Sequence, residues 1–447
     1  MANPIVSLAG AWAEPLTFLL MLLSFGFFVM AKRWPIGLAL LLAAFLGAVL
    51  NGEFFPLRHL VEGAFSYLDP ILVIATAMIL MRTLADSGAL ESLGRQAEER
   101  FQNQPALLLA LLMLMIMFPG MITGSSTASV LTTGAMAGSI IVRLGLSKER
   151  TAAIIAMGGV LGMVAPPVNI PAMIIGGGVD LPYSGFDGPL ALASFPLAIV
   201  ILYLLAAPIL RGSGASLSST KSAPAHIQNP QHETRNREAP RVALWRALVG
   251  PLVAAALMLG PRLSPAHISD PGLPLVFLAA TLASLAVLPR FALFGSMTRA
   301  LDESLPVLGI LCGVGAFIQV MTLTGCRGWL VSLMTGAPSW AILAAAAVSM
   351  PLFGAVSAFG SASVLGVPFL LALLGRNEVV TTAALSLLAS LGDLMVPAAL
   401  AATLAAQVTG VADRNKVLRL CVVPALLTVA VALLMLIFAP QIGRWFQ

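Results

Sequence analysis

Residues 158–173 read GGVLGMVAPPVNIPAM. The stretch is apolar enough to lie in a membrane, yet it cannot form one continuous helix. Proline removes a backbone donor and clashes with the preceding turn, and Pro166, Pro167 and Pro171 fall within six residues. In hydrocarbon, backbone freed from a helix is tolerated only where it is buried in protein or lines a cavity. Asn169 offers an amide at this break. A plain proline kink is the competing account; three clustered prolines favour a break built into a site.

A related stretch, ASLGDLMVPAAL at 389–400, carries one proline, Pro397, with Gly392 and the carboxylate Asp393 before it. Asp393 is the one acid expected deep within a span. A charge at the bilayer centre costs a few kcal/mol on insertion scales, so it needs a partner or a task. Ion or proton coupling is weighed here against a structural hydrogen bond.

Each of these stretches follows a Gly/Ser cluster inside a long apolar segment. The first, FPGMITGSSTASVL at 118–131, holds Gly124, Ser125, Ser126 and Thr127 in succession. The second, FGAVSAFGSASVL at 353–365, holds Gly360, Ser361 and Ser363. A lone serine in a membrane helix usually serves close packing. Four small or hydroxylated residues in a row weaken a helix and predict a hairpin turn. The segments 105–142 and 339–375 are therefore expected to be hairpins with these residues at their tips.

The rest of the chain fits this setting. Of 447 residues, 59% are hydrophobic and 10% charged, against about 25% charged in soluble domains. Apolar runs suited to a hydrocarbon core of about 30 Å recur throughout, and spans in lipid must be helical. An all-α polytopic membrane protein follows, in contact with the lipid bilayer. Spans are expected at 15–31, 35–50, 70–85, 151–176 and 190–210, then at 247–260, 273–289, 305–324, 379–410 and 418–440. Segments 86–104 and 325–338 are expected to lie at the interface; SGALESLGRQAEERF carries charge on one face and leucine on the other.

The landmarks recur in order. Gly88 answers Gly325, SVL at 129–131 answers 363–365, and Pro166 answers Pro397, at offsets of 231 to 237 residues. This divides the chain into a first repeat, 1–210, a polar linker, 211–246, and a second repeat, 247–447. With the linker in the cytoplasm, 19 of the 24 basic residues lie inside. Those outside are Arg58, Arg262, Arg327, Arg376 and Arg444, and such a bias sets orientation. Five spans per half then make the repeats antiparallel, with both termini periplasmic. No Lys or Arg precedes Lys32, so the first apolar run is expected to be a permanent anchor rather than a cleaved signal.

The net charge of +5 reflects loop residues scattered between spans, not a nucleic-acid surface. Cys312, Cys326 and Cys421 form no CxxC pair, and the four histidines fall in expected loops. No nucleophile–base pair appears, so the chain is not read as an enzyme and no cofactor is expected. Broken helices and hairpin tips meeting at mid-membrane form an ion and solute site. Half-helix N-termini face anions, and freed carbonyls coordinate Na⁺.

GSSTAS followed some 35 residues later by GGVLGMVAPPVNIP resembles the large membrane subunit of tripartite ATP-independent periplasmic (TRAP) transporters. It also resembles the wider ion-transporter superfamily. The resemblance implies an elevator-type carrier in the bacterial inner membrane that imports small organic acids such as C4-dicarboxylates by sodium symport. It implies two partners, a small four-span membrane subunit and a periplasmic substrate-binding protein. By motif, Gly124, Ser125, Ser126, Thr127, Pro166, Pro167 and Asn169 would border one half of the site. Ser361, Ser363 and Pro397 would border the other; Gly360, Gly392 and Asp393 beside them complete the candidate set, with Ser126, Asn169, Ser361 and Asp393 as candidate sodium ligands. The second half departs from the family in having a single proline and in Asp393. A stand-alone proton-coupled carboxylate permease therefore stays open, as does a non-transporting structural subunit.

Overall fold

A computed structural model describes residues 12–210, 242–263, 270–289 and 291–446. The expected linker up to residue 241, the extreme N-terminus and the loop containing His267 lie outside the described residues. The described chain is helical, with no β-strand among the described residues apart from an isolated bridge between Leu374 and Arg376.

The first half runs α1 (Ala13–Gly26, extended by one wide turn, Phe27–Ala31), α2 (Ile36–Leu50), α3 (Leu57–Phe65), α4 (Leu68–Asp86) and α5 (Ala89–Phe101). It continues through α6 (Pro105–Thr123), α7 (Ser126–Ser129, Val130–Gly134 and Ala135–Arg143), α8 (Lys148–Val164), α9 (Ile170–Gly177) and α10 (Asp187–Leu205). The second half runs α11 (Leu244–Leu263), α12 (Leu273–Val287), α13 (Leu293–Leu323), α14 (Cys326–Thr335) and α15 (Ser339–Gly354). It ends with α16 (Ala358–Ser361, Ala362–Gly366 and Val367–Ala372), α17 (Glu378–Ser390, closed by a 3₁₀ turn, Leu391–Leu394), α18 (Leu400–Thr409) and α19 (Arg414–Ile437). Among the described residues, seven helices are long and apolar enough to cross a membrane.

Three boundaries differ from the sequence reading. The span expected at 305–324 is the end of a 31-residue helix that starts at Leu293. Its first three turns carry Arg299, Asp302 and Glu303, which disguised them as loop. The helix α3 was not expected, because LRHLVEGAF is short and polar. It is held by a close approach in which Gly63 lies against Gly315 of α13. Of the expected linker only residues 242–246 are described, and there α11 begins at Leu244 and Val242 is buried.

Helices α2, α3 and α4 pack around α13, α12 packs on α4 and α11, and α1 packs on α2. A second group assembles around α8, buried from Thr151 onward, which touches α6, α7, α10, α17, α18 and α19. A helix buried on every side reads as uniformly apolar, and residues 151–164 of α8 are all buried. Arginines fasten the ends of this group. Arg150 donates to the Leu205 carbonyl at the end of α10 at 2.9 Å, and Arg376 donates to the Leu436 carbonyl near the end of α19. Cations satisfy carbonyls left open at helix C-termini and oppose the helix dipole.

Candidate functional site: two hairpin tips and two broken helices

The first tip forms where α6 ends. Gly124 takes a left-handed conformation, φ 64°, which a side chain rarely adopts. A Cβ there would also collide with Ile170 at the start of α9. Ser125 follows in extended conformation and caps α7, its hydroxyl accepting from Ala128 N–H at 3.3 Å. Ser129, four residues on, ties the two arms together by accepting from Gly120 N–H at 2.7 Å.

The first break separates α8 from α9 over residues 165–169, and the Pro166–Pro167 peptide bond is cis. Asn169 is buried and caps α9: its Oδ1 accepts from Ala172 N–H at 2.9 Å. Its amide donates to the Val164 carbonyl at 3.0 Å and to Ser386 Oγ at 2.8 Å. Asn169 thus rejoins the two halves of its own helix and pins them to α17. Both amide hydrogens are used within the protein. Tyr183 stands beside the break, its hydroxyl accepting from Asn169 N–H at 3.1 Å and donating to the Pro167 carbonyl at 3.2 Å.

The second tip lies earlier than the sequence reading placed it. The chain turns at residues 355–357, and Ser357 caps α16 by accepting from Gly360 N–H at 3.1 Å. Ser357 therefore corresponds to Ser125, and the offset between hairpins is 232. The wide turns at Val130–Gly134 and Ala362–Gly366 obey the same offset. Ser361 then corresponds to Ser129, not to a tip residue. It is fully buried, and its hydroxyl donates across the hairpin to the Met350 carbonyl at 2.7 Å. Ser363 lies half a turn further into the arm and donates to the Gly360 carbonyl at 3.0 Å. The signal for Ser357 was present in the sequence; the repeated letters SVL drew the pairing two residues too far.

The second break ends α17 at Leu394, and α18 starts at Leu400 after Ala399, whose φ is 42°. The Val396–Pro397 bond is cis. Gly392 sits so close to Gly354 of the second hairpin that a side chain on either would overlap the other's backbone. Asp393 points the other way. Its carboxylate accepts a short hydrogen bond from the Ser126 hydroxyl at the first tip. Helix starts at 170 and 400 give an offset of 230 here. By that register Asp393 stands opposite Met163 and Asn169 opposite Ala399, so each break carries a polar group that the other lacks.

The structure thus joins Ser126 to Asp393 and Asn169 to α17, while Ser361 and Ser363 belong to the interior of the second hairpin. The first tip also borders a cavity of about 350 Å³. Ser125 and Thr127 face it from the tip, and Arg82 and Glu303 from α4 and α13. Glu91 of α5 lines it too. The neighbouring Ser92 accepts from Val242 N–H at 3.0 Å, so this wall of the cavity lies close to the segment that precedes α11. The sequence reading missed this charged wall because Arg82 and Glu303 are 221 residues apart.

Helices of membrane length, two capped hairpin tips and two broken helices define a multi-pass membrane transporter. Its fold is similar to the crystal structure of the Alcanivorax borkumensis YdaH transporter, with a TM-score of 0.56 and 16% identity over 86% of this chain and 88% of that one. It is also similar to Neisseria gonorrhoeae MtrF, of a class of antimetabolite efflux pumps, with a TM-score of 0.57 and 12% identity over 97% of this chain and 96% of that one. No curated protein matches the sequence. The family model of the tripartite ATP-independent periplasmic transporter, DctM component, matches residues 22–442. The chain belongs to this family: it is a transporter membrane component and not an enzyme.

Proposed function

We propose that the chain carries a small organic anion of the C4-dicarboxylate type inward across the bacterial inner membrane, driven by sodium symport. In this reading the two halves are inverted repeats. The group around α8 moves as an elevator against the α2–α4 and α11–α13 frame. The observation that carries the reading is the meeting of Ser126, at a helix N-terminus, with the carboxylate of Asp393 at a helix break. Helix N-termini favour anions, and a hydroxyl beside a carboxylate supplies hard oxygen ligands of the kind a small cation requires. The recurrence of capped tips, wide turns and breaks in both halves supports the repeat. A four-span membrane subunit and a periplasmic binding protein would complete the system, in keeping with the tripartite family description.

A second reading has its own support. Asp393 is the one carboxylate at either break, and its contact is a hydroxyl, Ser126, rather than a cationic side chain, which suits a proton-coupled carrier. Uptake of labelled succinate into proteoliposomes, with the partner subunit and binding protein, separates the two. Accumulation under an imposed Na⁺ gradient and not under a pH gradient is the expected result; the reverse establishes proton coupling. Accumulation under neither, for any carboxylate, removes the proposal.

A further inference from the structure

One ion pair faces the first hairpin tip across the cavity. Arg82 of α4 donates from Nε to Glu303 of α13 at 2.7 Å, with a second contact through its terminal nitrogen. Among the described residues lining the cavity, Arg82 is the one cation. Its side chain is 18% exposed and that of Glu303 42%, so the glutamate is the less enclosed partner of the pair. Asp86, one turn along α4, also lies 4.0 Å from the Arg82 guanidinium, but it is buried and shared: it pairs with Arg299 at 2.8 Å and accepts from Ser296.

The guanidinium fork matches a carboxylate in a bidentate manner. Glu303 presents to Arg82 the group that a carboxylate solute would present. A cavity of about 350 Å³ admits a small molecule, and sites of this size hold ligands by a few placed polar groups. Ser125 and Thr127 lie on the opposite wall, next to the Ser126–Asp393 contact. An anion leaving the tip through this cavity therefore meets Arg82.

We propose that Arg82 is a release-side subsite for the carboxylate of the transported solute, and that Glu303 competes for it from within the chain. This rests on the organic-anion reading above. Competition gives the two residues opposite effects. Arg82→Gln removes the receptor and should weaken binding, while Glu303→Gln removes the competitor and should strengthen it. A pair that only clasps α4 to α13 would make both variants fail alike.

The test uses the purified full-length protein in detergent, with succinate, malate, fumarate and acetate as probes and thermal stabilisation as the readout. Arg82→Gln should raise the apparent Kd by about tenfold and Glu303→Gln should lower it by about threefold, the scale of one charge-assisted hydrogen bond. Shifts in the same direction overturn the proposal. If Arg82→Gln alone does not fold, the double variant Arg82→Gln/Glu303→Gln leaves no lone charge. It should bind as weakly as Arg82→Gln is expected to, and wild-type affinity in it overturns the subsite alone. Wild-type protein that none of the four anions stabilises overturns the organic-anion reading together with the subsite.

Discussion

The Ser126 hydroxyl, at the turn of the first hairpin, hydrogen-bonds the Asp393 carboxylate, at the break between α17 and α18. The two residues are 267 positions apart and come from opposite halves of the chain. On the function proposed above, this contact links the position of the hairpin to the charge state of one carboxylate, and a solute or cation entering at the tip shares or replaces it.

Asp393→Asn tests that coupling. Asparagine keeps the shape and an acceptor oxygen but removes the charge. The variant should insert and still exchange solute between the two sides, yet lose accumulation driven by the ion gradient. Proteoliposome exchange and gradient-driven uptake, measured side by side, decide the matter. Unchanged accumulation in the asparagine variant would remove Asp393 from coupling. Ser126→Leu should abolish both activities while leaving the protein inserted, because its branched side chain fills the space beside Asp393.

Ser361 and Ser357 should separate by readout. Ser361→Ala removes a buried hydroxyl and leaves the Met350 carbonyl without that donor, at a cost of about 1–3 kcal/mol. The expected result is a lower thermal midpoint in detergent with transport affinity unchanged. Ser357→Ala removes a helix cap at the turn, a loss of about 1 kcal/mol, and should in addition raise the apparent KM. A KM effect confined to Ser361→Ala would return that residue to the binding region.

What was legible in the sequence was set by composition and by backbone rules. Lipid-length apolar runs gave the spans, the 166–171 proline cluster gave the first break, and Gly124 with three hydroxyl residues gave the first tip. What escaped was register and long-range pairing. Small residues repeat so freely in membrane helices that SVL at 363–365 looked like the partner of 129–131, whereas the caps align Ser357 with Ser125. The polar first turns of α13 looked like loop because their charges are matched by Arg82 and Asp86 on a distant helix, and nothing in the local sequence announces that match. Asn169 was legible as a polar group at a break; its commitment to Ser386 was not.

Orientation can be tested apart from mechanism. With the 211–246 region cytoplasmic, a cysteine placed at Ser218 in a background lacking Cys312, Cys326 and Cys421 should resist an impermeant maleimide in intact cells. It should react once the cells are opened. A cysteine at Glu53 in the 51–56 loop, on the opposite face by the same count, should label in intact cells. Labelling of position 218 from outside would invert the topology and turn the Arg82 cavity toward the periplasm.

Asn169 should act as the mechanical joint of the site rather than as a ligand. Its three side-chain hydrogen bonds reach Ala172 N–H, the Val164 carbonyl and Ser386. Asn169→Ala removes a helix cap, worth about 0.5–2 kcal/mol, and strips the Val164 carbonyl of its donor, a further cost of about 1–3 kcal/mol. Ser386→Ala removes only the bond between the two broken helices and should cost about 1 kcal/mol. If the bond matters as a pair, the double variant should be less destabilised than the sum of the single ones, because the Asn169–Ser386 loss is counted in both. Thermal midpoints of the four proteins in detergent give this coupling. Transport should follow the same order, since a break that cannot hold α8 and α9 in line also releases Ile170 from beneath Gly124 at the first tip. Full additivity, or normal stability with lost solute binding in Asn169→Ala, would instead make the amide a direct ligand.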